Sequence, residues 1–167
     1  MRVRHIFWFM VIMHAGCLIP LAWLGAGYFF GRLGADPISA LEQFSGRIAI
    51  SLLTATLLVH PLASLLKQPL IMKARRPLGL YTFAYVLLHV LILVGLDYRL
   101  DIPLLVTSYV DKPFIWFGAA TSLILAALAI TSFAWWRQRM GVWWGRLHRL
   151  IYLAALLDLA HFFLVVK

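Results

Sequence analysis

Charge is scarce in this chain, and negative charge is scarcer still. Only 13% of the 167 residues are charged, with 6 acidic against 15 Lys and Arg, whereas about a quarter of an average soluble domain is charged. With 63% of its residues apolar, the sequence does not read as a water-soluble globular domain. Cysteine is almost missing. Cys17 stands alone, so no intrachain disulfide can form, and without a C-x-x-C-H run covalent c-type haem attachment is not expected. The absence of any G-x-G-x-x-G stretch removes the usual dinucleotide cradle, so the chain is not expected to take hydride from NAD(P)H by itself.

What fills the sequence instead is long uncharged runs: Ile6–Phe30, Ile48–Leu66, Leu78–Leu96 and Phe114–Trp136, then Leu150–Val166 interrupted only by Asp158. Each is close to the roughly 17–25 residues a helix needs to cross a hydrocarbon core. The expected fold is therefore all-α, a polytopic membrane bundle of five transmembrane helices forming one domain over 1–167. Short connections favour up-and-down packing, whose core commonly holds a cofactor. Met1-Arg2-Val3-Arg4 before an apolar run resembles a signal peptide, but the run is about twice a signal core, and it is read as a retained signal anchor.

The connections alternate in charge. Arg2 and Arg4, then Lys67, Lys73, Arg75 and Arg76, then Arg137, Arg139, Arg146 and Arg149 supply ten of the fifteen basic residues without one acid. The intervening loops carry Asp36, Glu42, Asp97, Asp101 and Asp111 beside Arg32, Arg47, Arg99 and Lys112. The positive-inside rule then sets the N-terminus in the cytoplasm. The net charge of +9 is a topology signal with anionic lipid as neighbour; nucleic acid is not an expected partner. Trp135, Trp136, Trp143 and Trp144 read as an interfacial belt. Ser39 to Phe44 is expected as a short interfacial helix before Ser45-Gly-Arg47 opens span two, and Asp97 to Pro113 as an outer loop.

Five histidines fall within or at the edges of these runs: His14, His60, His89, His148 and His161. An ionisable ring in hydrocarbon needs a partner, and a neutral imidazole nitrogen is a good axial ligand for haem iron. At about 1.5 Å per residue, His89 lies near the midplane and His161 in the outer half, while His148 sits at the inner edge with His14 or His60 nearby in depth. His89 and His161 are the foremost ligand candidates. His148 divides between ligand and interfacial residue, and His14 between ligand and interhelical hydrogen bond. His60 precedes Pro61, whose missing N–H frees the Leu57 carbonyl, and is read as structural. His148 and His161 are about 140° apart around a straight helix, so either the helix bends or they face different neighbours. Asp158, three residues before His161, is either an acceptor for a ligating imidazole or a proton site, or else an acid lifted to the interface.

The chain resembles the MsrQ (YedZ) family, haem-binding membrane subunits within the ferric-reductase-like transmembrane group. The resemblance rests on Leu33-Gly-Ala-Asp-Pro37, Gly46-Arg47, Pro61-Leu62, Lys67-Gln-Pro-Leu70, Arg75-Arg76, Leu78-Gly-Leu80 and Leu88-His89. It continues through Ala129, Thr131-Ser132, Leu147-His148 and Tyr152-Leu153 to His161. It implies one or two b-type haems held by His89, His148 and His161, with His14 also matching a family histidine. It further implies a bacterial inner-membrane subunit passing electrons from a cytoplasmic quinone or flavin donor, with FMN bound, to the periplasmic molybdopterin subunit MsrP. An anionic flavin or quinone on the inner face would meet Arg75, Arg76, Arg137 and Arg139. His60 and Asp158 lie outside the family pattern. Relatives continue into a further apolar segment. The rival readings are a b561-type or ferric-reductase-like cytochrome reducing metal ions, a small His/Asp proton or metal transporter, and a haem-free assembly protein.

Overall fold

The computed structural model describes residues 2–166, and among them all regular structure is helical. Five helical segments are long and apolar enough to span a membrane: Arg4–Phe29, Pro37–Leu65, Pro69–Asp97, Pro113–Ile130 and Val142–Val166, with mean hydropathies of 1.9–2.1. Large apolar side chains such as Ile12, Phe29, Leu123 and Leu156 stay exposed along them. In water such faces would be sticky; in a bilayer they meet lipid tails of their own polarity. The chain divides into two compact units, 1–85 and 86–167.

In the first unit, α1 (Arg2–Phe29) turns at Gly31 and Gly34 into α2 (Pro37–Leu65). Asp36 caps α2, its carboxylate accepting from the Ser39 N–H at 3.1 Å, and Pro37 occupies the first turn, where a missing N–H costs nothing. Contrary to the expectation of a separate interfacial helix over Ser39–Phe44, α2 runs unbroken through Ser45-Gly46-Arg47. The Ser45 hydroxyl bonds the Glu42 carbonyl, and Arg47 reaches Gln43 four residues earlier, so nothing there breaks the helix. Pro61 likewise leaves α2 continuous to Leu65. A 3₁₀ segment, Pro69–Ala74, leads into α3 (Arg75–Leu91). Polar side chains join the helices: Tyr85 donates to the Cys17 carbonyl at 2.7 Å, and His14 Nδ1 lies 3.0 Å from Tyr81 Oη.

In the second unit, the end of α3 widens into a π-helical turn, Ile92–Asp97, and the chain reverses through Arg99 and Leu100, both at positive φ. The segment read as an outer loop contains a helix, α4 (Ile102–Tyr109), capped by the Asp101 carboxylate accepting from the Leu104 N–H at 2.9 Å. Next, α5 covers Pro113–Ile130. It ends six residues before the expected limit at Trp136: Thr131 leaves the helical conformation at φ −83° and ψ 2°, and the Thr131 and Ser132 hydroxyls bond the Ala127 and Leu128 carbonyls, each at 2.6 Å. Two short helices, α6 (Ala134–Met140) and α7 (Val142–His148), meet at Gly141, whose φ of +52° and ψ of −123° suit glycine alone. Last comes α8 (Leu150–Val166).

The second unit's core is the antiparallel packing of α5 on α8. Thr121, Leu125 and Leu128 bury themselves on the α5 side, and Ile151 and Ala154 on the α8 side. The Thr121 hydroxyl reaches the Ala154 carbonyl at 3.5 Å, and Ala154 has no exposed surface. Small residues let two backbones approach this closely.

Removing a single interhelical bond in the first unit tests how much such polar ties contribute. Tyr85→Phe is expected to lower unfolding stability in detergent micelles by about 0.6 kcal/mol, the average for hydrogen bonds between membrane helices. A loss above about 2 kcal/mol would show that Tyr85 does more than hold the Cys17 carbonyl.

Candidate haem site

The α5–α8 register decides what surrounds His161. On α8, Ile151, Ala154, Asp158 and His161 recur every three or four residues and so share one stripe, the one facing α5. Opposite His161 lies the first turn of α5. There the Phe114 carbonyl stands 2.7 Å from His161 Nδ1. A carbonyl can only accept, so Nδ1 carries the proton and Nε2 keeps the lone pair. That is the tautomer a ligating imidazole adopts when its second nitrogen is tied to a backbone carbonyl. One turn along α5, Gly118 leaves the ring its room: a Cβ there would sit 2.8 Å from Nδ1 and 2.9 Å from Cε1.

His89, from the last turn of α3, stands beside His161. The ring centroids are 6.5 Å apart and the planes cross at 85°. Metal–nitrogen bonds of about 2.0–2.1 Å on each side would set two imidazole centres roughly 6 Å apart, so the spacing fits two axial ligands on one iron. Both rings are half-buried, and the π-helical turn begins three residues after His89. Such turns are frequent at functional sites. Among the described residues no three His, Cys, Asp or Glu side chains converge on a point where they could hold a bare ion. A porphyrin brings its own equatorial nitrogens and asks the protein only for axial ligands.

His148 is held differently. Its ring stacks on Trp144 with centroids 4.0 Å apart, and its Nε2 lies 3.1 Å from the Thr131 hydroxyl. Trp144 in turn donates to the Thr131 carbonyl at 2.9 Å. The helix breaks between His148 and His161: at Arg149 the bonds Arg149 N–H to Arg146 and Tyr152 N–H to Arg149 replace the α-helical pattern. Of the two ways to reconcile their 140° offset, the interrupted helix is thus present. His14 pairs with Tyr81 in the first unit, and His60 is exposed on α2. Arg75 opens α3 half-buried with Arg76 exposed beside it, whereas Arg139 lies over Trp135 at 5.2 Å and Arg146 over Trp143 at 4.5 Å.

Sequence reasoning did not single out Phe114, Gly118, Trp144 or Tyr81 as neighbours of these histidines. Phe114 acts through its backbone, which carries no residue signature. A helical glycine in an apolar run was the one available hint, since glycine there has a cost that close packing must offset.

The Thr131 grip on His148 is open to a direct check. Thr131→Val keeps the shape and removes the hydroxyl, and is expected to cost about 1 kcal/mol of stability while shifting the His148 ring-nitrogen resonances in NMR spectra. Unmoved resonances would show that Thr131 does not hold the ring.

Comparison with known proteins fits this architecture. Residues 45–159 match the family described as the ferric reductase like transmembrane component. The protein-methionine-sulfoxide reductase heme-binding subunit MsrQ of Yersinia pseudotuberculosis serotype O:1b (strain IP 31758) is 40% identical over 168 aligned positions, covering 100% of this chain and 83% of the relative. The proteins of the same name from Yersinia pestis strain Pestoides F and biovar Antiqua strain Angola are also 40% identical, with 82% of each covered. No solved structure matches the chain. With five membrane-length helices, a family match over most of its length and relatives aligned along all of it, the chain belongs to the MsrQ family of ferric-reductase-like transmembrane proteins.

Proposed function

We propose that this chain is a b-type haem electron-transfer subunit of the bacterial inner membrane, built as one ferric-reductase-like haem-binding domain over 1–167. It passes electrons from a quinone or flavin on the cytoplasmic side to the periplasmic methionine sulfoxide reductase MsrP. The observation that carries this reading is the pairing of His89 with His161, 6.5 Å between ring centres, with the Phe114 carbonyl leaving His161 Nε2 as the donor nitrogen. The relatives' name, heme-binding subunit of a protein-methionine-sulfoxide reductase, supports the same assignment.

The bound haem supplies a one-electron couple; the protein supplies ligation, burial and spacing. His89 and His161 would hold the haem iron between them, each through a ring nitrogen. His148 and His14 are the ligand candidates for a second haem. Ligation by His148 through Nε2 requires it to leave Thr131, and His14 would have to leave Tyr81 if it used Nδ1. Arg75 and Arg76 are the residues proposed to meet an anionic donor such as FMN or a quinone headgroup. The charge alternation of the loops supports a cytoplasmic N-terminus.

An absorption spectrum of the purified protein is the first test. A Soret band is expected, and its absence even after haemin is added would sink the proposal. His89→Ala and His161→Ala should each strip most of the haem, while His60→Ala should leave the content unchanged. Full occupancy in both of the first two variants would refute the axial pair. Reoxidation of the reduced protein by MsrP, and not by ferric iron, separates this function from that of a metal reductase.

A further inference from the structure

Around His161, two features of α5 act on one ring: the carbonyl of Phe114 and the missing side chain of Gly118. They are one turn apart on the same face of α5, which brings both against the same nitrogen. The carbonyl lies 2.7 Å from Nδ1, inside the usual range for a neutral N–H···O bond. Phe114 also sets its own ring edge-on to the imidazole at 6.0 Å. The backbone of Gly118 is ordinary α-helix, its φ is not positive, and the three atoms nearest a Cβ there all belong to the imidazole. By contrast, Gly16 and Gly25 on α1 have open space where a Cβ would go.

We infer that Phe114 O and Gly118 form a positioning clamp that fixes the tautomer, rotation and basicity of His161 as an axial haem ligand. The inference rests on the haem reading above and goes beyond it, because it names what tunes the ligand. A backbone carbonyl accepting from Nδ1–H pushes electron density onto Nε2, and a more basic ligand favours ferric over ferrous iron. The clamp therefore holds the reduction midpoint below the value an untethered imidazole would give. Placing the acceptor on the backbone makes it insensitive to side-chain protonation. Gly118 is the condition for all of this, since a methyl group at that position displaces the ring from the carbonyl.

Two experiments on the full-length protein test the clamp. In the first, Gly118→Ala is compared with Gly25→Ala, which changes a helical glycine to alanine where nothing is touched. Gly118→Ala is expected to move the haem midpoint to more positive potential and to alter the low-spin ferric electron paramagnetic resonance signal, whereas Gly25→Ala moves neither. A midpoint and signal in Gly118→Ala identical to those of the unmodified protein would overturn the clamp.

The second experiment does not depend on that variant folding. In His161→Gly supplied with haemin, added imidazole should restore the low-spin spectrum at a concentration at least tenfold lower than 1-methylimidazole, which has no N–H to give the Phe114 carbonyl. Equal rescue by the two would overturn the clamp even where the first test agreed. These failures differ from failure of the haem reading, which shows as an unmodified protein without a Soret band or as His161→Ala with full haem.

Discussion

Hydrocarbon cannot hydrogen-bond, and most of this structure follows from that one fact. A polar group on a membrane helix must find its partner within the protein or be lifted to the interface. Here the partners come from other helices. His14 of α1 meets Tyr81 of α3, Tyr85 of α3 meets a carbonyl of α1, His148 of α7 meets Thr131 at the end of α5, and His161 of α8 meets a carbonyl of α5. Each pair meets the need of a polar group in an apolar medium and in doing so ties two helices in one register. His60 stands exposed on α2.

The register of α5 against α8 carries the argument from packing to chemistry. Thr121 opposite Ala154 fixes how the helices slide. That alignment brings the N-terminal turn of α5, with Phe114 and Gly118, to His161 and the C-terminal end, with Thr131, to Trp144 and His148. Two histidines on one C-terminal segment thus receive opposite environments. One is tied through Nδ1 and keeps Nε2 for a ligand; the other is stacked on an indole with Nε2 against a hydroxyl. Between them, at Arg149, the helix tightens to bonds three residues back.

Several features were legible in the residues because they depend only on composition along the chain. Runs near 20 residues without charge located all five spans, although several helices begin well before the runs do, α2 at Pro37 rather than near Ile48. The misreadings have physical causes. Ser45-Gly46-Arg47 looked like a helix opening, yet Ser45 bonds back to its own helix and glycine alone does not stop one. The stretch before Pro113 looked like a loop because acids flanked it, but Asp101 there serves as the cap of α4. Trp135 and Trp136 extended the apparent fourth span, whereas α5 ends where Thr131 leaves the helical conformation.

By itself, the sequence determined the solvent, the number of spans, and the small set of histidines that must be satisfied inside them. It also singled out His89 and His161, because depth depends only on residue count from the membrane edge. Tertiary structure alone decided which groups satisfy those histidines. The Phe114 carbonyl, the space at Gly118 and the Thr131 hydroxyl against His148 all belong to α5 or its C-terminal end, not to the helices that carry the rings they serve. Two of the three act through backbone or through an absent side chain, and neither leaves a mark that spacing along the chain can reveal.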